Sequence, residues 1–220
     1  MRFIFIFLVS LIVISSAQSA RADYAVWHDP ATGLSLSWPD NWKRVSNADP
    51  NDVLTIMAPS GRGHASCRVR ADRDERYLVF PSQYDAGIQK FDYSGHFFNK
   101  YLAEYDDHEV INLQDGAGLG RGFAGYAIAN YESAVQGPYM KRKALVFASL
   151  YNDTAYILEC SSHRDAFTRW KGLFLSVAGS MNFKKVHHEL RSGNYRNFMS
   201  DPRILLQPMD RLGDVARTLH

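Results

Sequence analysis

The stretch 139–183 constrains this chain most, because it spells a strand, a tight turn, a second strand and one amphipathic helix with almost nothing between them. Over 140–149, polar Lys141, Lys143 and Ser149 are set among Ala144, Val146 and Ala148, while Leu145 and Phe147 add apolar groups to the other face. A strand that is apolar on both faces near its middle must be covered on both sides. The polar pair Asn152-Asp153 predicts a hairpin turn, and the run 155–160 a second central strand. Ser162 and Asp165 form an S-x-x-D pattern, which predicts a capped helix start. Phe167, Trp170, Phe174, Val177 and Met181 then recur at spacings of three and four, so all five share one helical face. That stripe reads as core rather than as a ligand groove.

At the amino terminus, Met1-Arg2 precedes an apolar run over 3–14, and small residues lead to Ala20-Arg21-Ala22, an A-x-A pattern. This predicts a secretory signal peptide over 1–22, cleaved after Ala22. Its apolar run is too short to cross a bilayer, which takes about 20 residues. The mature chain is therefore expected in the periplasm or secreted, with no membrane span. From residue 23 onward, 23 basic residues balance 23 acidic ones, and no basic arm is present, which argues against nucleic acid as a partner. The charge is uneven, with 10 basic and 16 acidic residues over 23–140 against 13 and 7 over 141–220. Two segments that neutralise each other within one fold account for this as well as an oriented partner does. At 46% hydrophobic residues the chain can bury a full core, so one domain over 23–186, as a monomer, is expected. Past it, 187–220 reads as a tail that is disordered or loosely docked.

Two short strands, 23–28 and 34–38, are predicted on either side of the turn formers Asp29-Pro30-Ala31-Thr32-Gly33. The string Gly33-Leu34-Ser35-Leu36-Ser37-Trp38-Pro39-Asp40-Asn41-Trp42-Lys43 resembles the opening of the PsbP-like superfamily, and Ser180-Met181-Asn182-Phe183 resembles its closing Ser-Met-x-Phe string. Between them the order of elements is similar too: a hairpin, two strands, a helix, a run of antiparallel strands and a last helix. That superfamily includes the lumenal photosystem II subunit, a nuclear Ran-binding protein, and bacterial periplasmic proteins and secretion chaperones. The resemblance implies an α+β fold, an α-β-α sandwich with a central antiparallel sheet of about six or seven strands and two main helices. It also implies protein binding, and it brings no shared catalytic residue.

Strands are predicted over 53–58 and 65–71, with Arg68 and Arg70 on the face opposite Cys67 and Val69. Those arginines, with Arg62 and His64, could line an anion site; the plainer reading is a solvated face paired with Asp72, Asp74 and Glu75. A helix is predicted over 82–105 from the Ser82–Asp85 capping pair and the spacing of Tyr84, Ile88, Phe91, Phe98, Leu102 and Tyr105. Gly87 and Gly95 weaken it by about 1 kcal/mol each, which predicts a kink or a break near Ser94-Gly95. Core packing explains the stripe, and any exposed remnant of it is the first candidate for a binding surface. Strands at 109–113 and 122–131 flank a glycine-rich stretch, 114–120, that reads as a flexible loop. Gly120, Gly122 and Gly125 spell G-x-G-x-x-G, but this motif runs into a strand pattern instead of opening a helix, so no dinucleotide site is read there.

Cys67 and Cys160 lie 93 residues apart on predicted strands, and in an oxidising compartment a bridge between them would add roughly 4–5 kcal/mol through chain entropy. The alternative is two buried thiols acting as small apolar groups. None of the eight histidines has ligand spacing, and His187-His188-Glu189 reads as an adventitious surface group. Asp106-Asp107 with Glu109 reads as a solvated turn, no G-x-S-x-G elbow occurs, and Asn152-Asp153-Thr154 matches a glycosylation acceptor relevant only in a eukaryotic secretory path. No catalytic residue, metal or cofactor is expected. The function expected is that of a non-catalytic periplasmic binding or accessory protein engaging another envelope protein. Its rivals are a small-ligand carrier with a pocket between the sheet and the helix over 82–105, and a hydrolase or metal-dependent enzyme built from dispersed His64, His96, His108 and Asp165.

Overall fold

The structure, a computed structural model, describes residues 23–59, 61, 63–73, 85–134, 138–151 and 154–184, with the backbone alone at 85–88. The expected signal peptide, the tail 187–220, the turn Asn152-Asp153, the helix-start residues Ser82 and Tyr84, and Arg62, Asp74 and Glu75 lie outside these residues.

Strands β1 (Tyr24–His28) and β2 (Ser35–Pro39) form an antiparallel hairpin of their own. The remaining strands are β3 (Lys43–Val45), β4 (Asp52–Met57), β5 (Ser66–Arg73), β6 (Asp106–Leu119), β7 (Gly122–Ser133), β8 (Met140–Tyr151) and β9 (Thr154–His163). They make one antiparallel sheet in the order β3-β4-β5-β9-β8-β7-β6. The long apolar strands 140–151 and 154–163 are thus interior strands, as a run apolar on both faces requires.

Helices α1 (Asp85–Asp92) and α2 (Gly95–Leu102) cover one face of the sheet, and α3 (Phe167–Ser180) with the β1–β2 hairpin covers the other. This is the α-β-α arrangement expected, with the first helix divided where Ser94-Gly95 predicted a break. Phe167, Phe174, Val177 and Met181 of the predicted stripe are buried against Leu145, Leu158 and Cys160, and Trp42 packs edge-on against both Trp170 and Phe174. Beneath α1 and α2, a smaller core joins Tyr93, Phe98 and Leu102 to Ala127, Ala144, Val146 and Ala148. Where β7–β8 pairing ends at Gly125–Ala148, the Gln89 amide donates to the Ala148 carbonyl at 3.1 Å and accepts from the Leu150 N–H at 2.7 Å. Its side chain replaces the absent strand neighbour, as buried backbone groups demand.

The opening and closing strings meet in space. Ser35 and Asn182 exchange two backbone hydrogen bonds of 2.9 Å, and the Ser180 hydroxyl accepts from the Ser37 N–H and donates to the Ser37 carbonyl, each at 2.9 Å. The end of α3 is therefore held to β2 by residues 143 positions apart.

Asp106-Asp107 and Glu109, read as a turn, are instead the first residues of β6, and two further local readings need correction. The stretch 114–120 is not a loop: β6 continues to Leu119 through register shifts, because Ala117 and Leu119 are drawn fully into the core and only Gly120-Arg121 turns the chain. Gly120 occupies the left-handed region at φ 58°, and a Cβ there would stand 2.8 Å from the Phe183 ring. Nor does Ser162 cap the last helix. β9 runs on to His163, which pairs with Arg142, so Ser162 stays within the ladder; a 3₁₀ turn (Arg164–Ala166) precedes α3, and His163 Nδ1 accepts from the Asp165 N–H instead.

Candidate functional site

Among the described residues, a large assembly of charged groups lies on the sheet face beneath α2. Thr55, Arg68, Glu159 and Val146 stand in register across β4, β5, β9 and β8, so an arginine and a glutamate sit directly opposite each other at the centre of the sheet. Both are 3% exposed. Arg68 donates through Nε to Glu159 Oε2 at 3.1 Å and also pairs with Glu104. Arg70, two residues on and so on the same face, pairs with Asp52 at 3.0 Å, Asp49 at 2.6 Å and Glu104 at 3.1 Å.

Three tyrosines complete the cluster. Tyr101 from α2 donates to Glu159 Oε2 at 2.8 Å and accepts from Arg68 at 3.0 Å; Tyr105 donates to the same carboxylate at 3.0 Å, and Tyr131 of β7 donates to its Oε1. Tyr105 and Tyr131 stack with ring centres 4.0 Å apart, and the Arg68 guanidinium lies over the rings of Tyr101 and Tyr105. Buried Arg142 extends the polar stripe, donating to the hydroxyls of Ser161 and Ser66 and to the carbonyl of His64.

Burial pushes the Glu159 carboxyl upward, but Arg68 and the three hydroxyls outweigh burial and hold it below the ordinary range. Burial, reinforced by the Glu159 charge, raises Tyr101 and Tyr105 well above the usual phenol value and raises Tyr131 as well. At Asp52 burial wins over Arg68 and Arg70 and the shift is upward. None of these tyrosines, nor Glu159, is poised to exchange a proton near neutral pH, and each hydroxyl is committed to an internal acceptor. The cluster joins β4, β5, β7, β9 and α2, and its chemistry is that of a tie rather than of a reaction centre.

A pH dependence follows. Glu159 ionises more readily folded than unfolded, so its contribution is complete above the ordinary glutamate value of 4.5 and is lost as pH falls through the lower folded value. Asp52 works the other way, binding its proton more tightly when folded and gaining stability as pH falls. Denaturant titrations between about pH 5 and 3 should show a steeper acid loss in the parent than in Glu159→Gln. Equal slopes would remove Glu159 as the source.

Arg68 and Arg70 are therefore not a solvated face. Their partners include Asp49 just before β4, Asp52 on β4, Glu159 on β9 and Glu104 just past α2, and α2 closes over this part of the sheet. Cys67 and Cys160, the sequence neighbours of Arg68 and Glu159 on the opposite face, are directly paired across β5 and β9 and joined as a disulfide. His64, His96, His108 and Asp165 stand on four separate segments with no hydrogen bond or ion pair among them, and no group of three or more His, Cys, Asp or Glu side chains able to hold a metal gathers among the described residues. Of the stretch expected to line a carrier pocket, Tyr93, Phe98, Leu102 and Tyr105 are buried against the sheet. A surface hollow lined by His28, Thr32, Gly33, Asn182 and Lys184 opens where the β1–β2 loop meets the end of α3.

Sequence reasoning did not single out Glu159. The available signal was an acid flanked by Leu158 and Cys160 in an otherwise apolar central strand. Nor was β6 singled out. Among the described residues, five large hydrophobic side chains are exposed: Tyr24, Val26, Phe91, Ile111 and Tyr139. Three lie along β6. Ile111 is on it, Tyr139 donates to its Asp106 at 3.3 Å, and Phe91 follows Lys90, which bridges to its Asp115 at 2.9 Å. Phe91 belongs to the predicted aromatic stripe, yet it is 83% exposed, so the stripe is not wholly core.

No protein-family model matches the chain, and no curated protein matches it in sequence. Among solved structures it is similar to cyanobacterial PsbP (CyanoP) from Synechocystis sp. PCC 6803, at 17% identity over 77% of this chain and 98% of that one, with a TM-score of 0.47. It is also similar to PA94 from Pseudomonas aeruginosa, a protein of unknown function, at 12% identity over 74% and 99% with a TM-score of 0.43. LpqN, involved in cell envelope biogenesis of Mycobacterium tuberculosis, matches at 14% identity over 79% and 97% with a TM-score of 0.36. These are distant likenesses of shape, and no function passes through them. The described residues themselves form a seven-stranded antiparallel sheet between helical layers, which is the α+β arrangement that the PsbP-like resemblance of the two end strings implies.

Proposed function

We propose that this chain is a non-catalytic accessory protein of an oxidising compartment outside the cytoplasm, and that it works by docking onto another exported or envelope protein. A disulfide at the centre of the sheet fits such a compartment. Among the described residues no helix is long and apolar enough to cross a membrane. The observation that carries the reading is the gathering of Phe91, Ile111 and Tyr139 along one edge strand, while Arg68 and Glu159 at the heart of the charged cluster are buried. An apolar set of this kind, rimmed by charge, is what a protein contact uses.

A photo-crosslinking amino acid at Ile111 or Tyr139, in cells exporting the full chain, should give a discrete adduct with one exported protein. The same probe at Asp165, 89% exposed in the 3₁₀ turn, should not. No adduct at Ile111 or at Tyr139, or equal labelling from Asp165, would sink the reading.

A further inference from the structure

We propose that the partner engages β6 by strand addition, and that the segment it lends is extended and basic, with lysine or arginine alternating with apolar residues. This deepens the docking function above and rests on it. β6 is the outer strand of the sheet, and at 14 residues it offers an edge of about 47 Å, whereas the opposite outer strand, β3, has three residues. Among the described residues no strand pairs with its outer side.

Charge selects the occupant. Asp106, Asp107 and Glu109 are exposed within four positions, and β6 carries no lysine or arginine. The register places Asp106 opposite Glu132 and Glu109 opposite Asn130, two apart on β7, so both acids project from the same face despite being three apart on β6. Asp107, at φ 45°, sits in the bulge that makes this possible. Farther along come exposed Ile111 and then Asp115, beside Lys90 and Phe91. Acids near both ends also disfavour a second copy of β6. Laid parallel, it would bring the 106–109 acids together; laid antiparallel, it would bring them against Asp115. The bulges and charges that guard the edge against its own kind thus leave it open to a segment of opposite sign.

The test uses the full mature chain and a fluorescein-labelled twelve-residue peptide of alternating lysine and valine. Controls are the glutamate counterpart and a lysine peptide whose alternate backbone nitrogens are methylated, which keeps the charge and removes strand donors. The lysine peptide should bind, weaken as salt rises, and slow amide exchange over residues 106–116. Asp106→Lys with Glu109→Lys should weaken it at least about tenfold, with an unchanged melting temperature, while Asp165→Lys leaves it unaltered. No binding by the lysine peptide, equal binding by either control, or protection confined to another element overturns the proposal. The two readings fail separately: an adduct at Ile111 with no peptide binding removes strand addition and leaves docking, and peptide binding without an adduct removes docking and leaves the edge chemistry.

Discussion

Glu159→Ala is expected to lower the free energy of unfolding by about 3–5 kcal/mol, because it takes from the buried Arg68 guanidinium its closest fully buried ion-pair partner and leaves Asp52, and Glu104 at the cluster's edge, to answer its charge. Three tyrosine hydroxyls lose their acceptor in the same step, which adds to the desolvation cost. The pair itself contributes far less than its loss suggests. Replacing both members, Arg68→Met with Glu159→Met, should therefore cost clearly less than the two single changes summed. Urea denaturation of the parent, Glu159→Ala, the two single methionine variants and the double variant measures this directly. A Glu159→Ala protein within about 1 kcal/mol of the parent would show that the cluster is not the tie described.

The second large effect concerns the bridge on the reverse face. Cys67→Ala with Cys160→Ala should cost about 2–5 kcal/mol, the range for a native bridge closing a long loop, here of 93 residues. The parent, denatured and alkylated without reductant, should take up no alkyl group on these two cysteines. Reductant should lower the melting temperature of the parent and leave that of the double variant where it is. An unchanged melting temperature in the double variant would remove the bridge from the stability of the fold.

Legibility in the sequence followed locality. The β8–β9–α3 unit could be read because each of its signals spans a few residues: alternation, a polar turn, and threes and fours from Phe167 to Met181. The break between α1 and α2 was readable for the same reason, in one serine and one glycine. Arg68 was misread because its burial depends on Glu159, 91 positions later, and on an α2 whose placement no local pattern states. Gln114 to Gly120 read as a loop because glycine is common there, yet a strand with register shifts tolerates glycine wherever the paired strand and core supply the contacts. The Ser162 cap failed similarly: a serine two positions before a 3₁₀ turn is indistinguishable from a late rung of a ladder until the partner strand is known. Of the site proposed here, the charges of β6 were visible but its position at the rim of the sheet was not, since strand order is a property of the whole assembly.

The seam between β5 and β9 has one more consequence. It is the line along which the first part of the sheet, β3 to β5, meets the later part, β6 to β9, and the sulfur bridge crosses it. A protease nick anywhere between Arg73 and Asp106 would therefore yield a two-piece molecule still riveted through its middle, able to remain whole after its backbone had been severed.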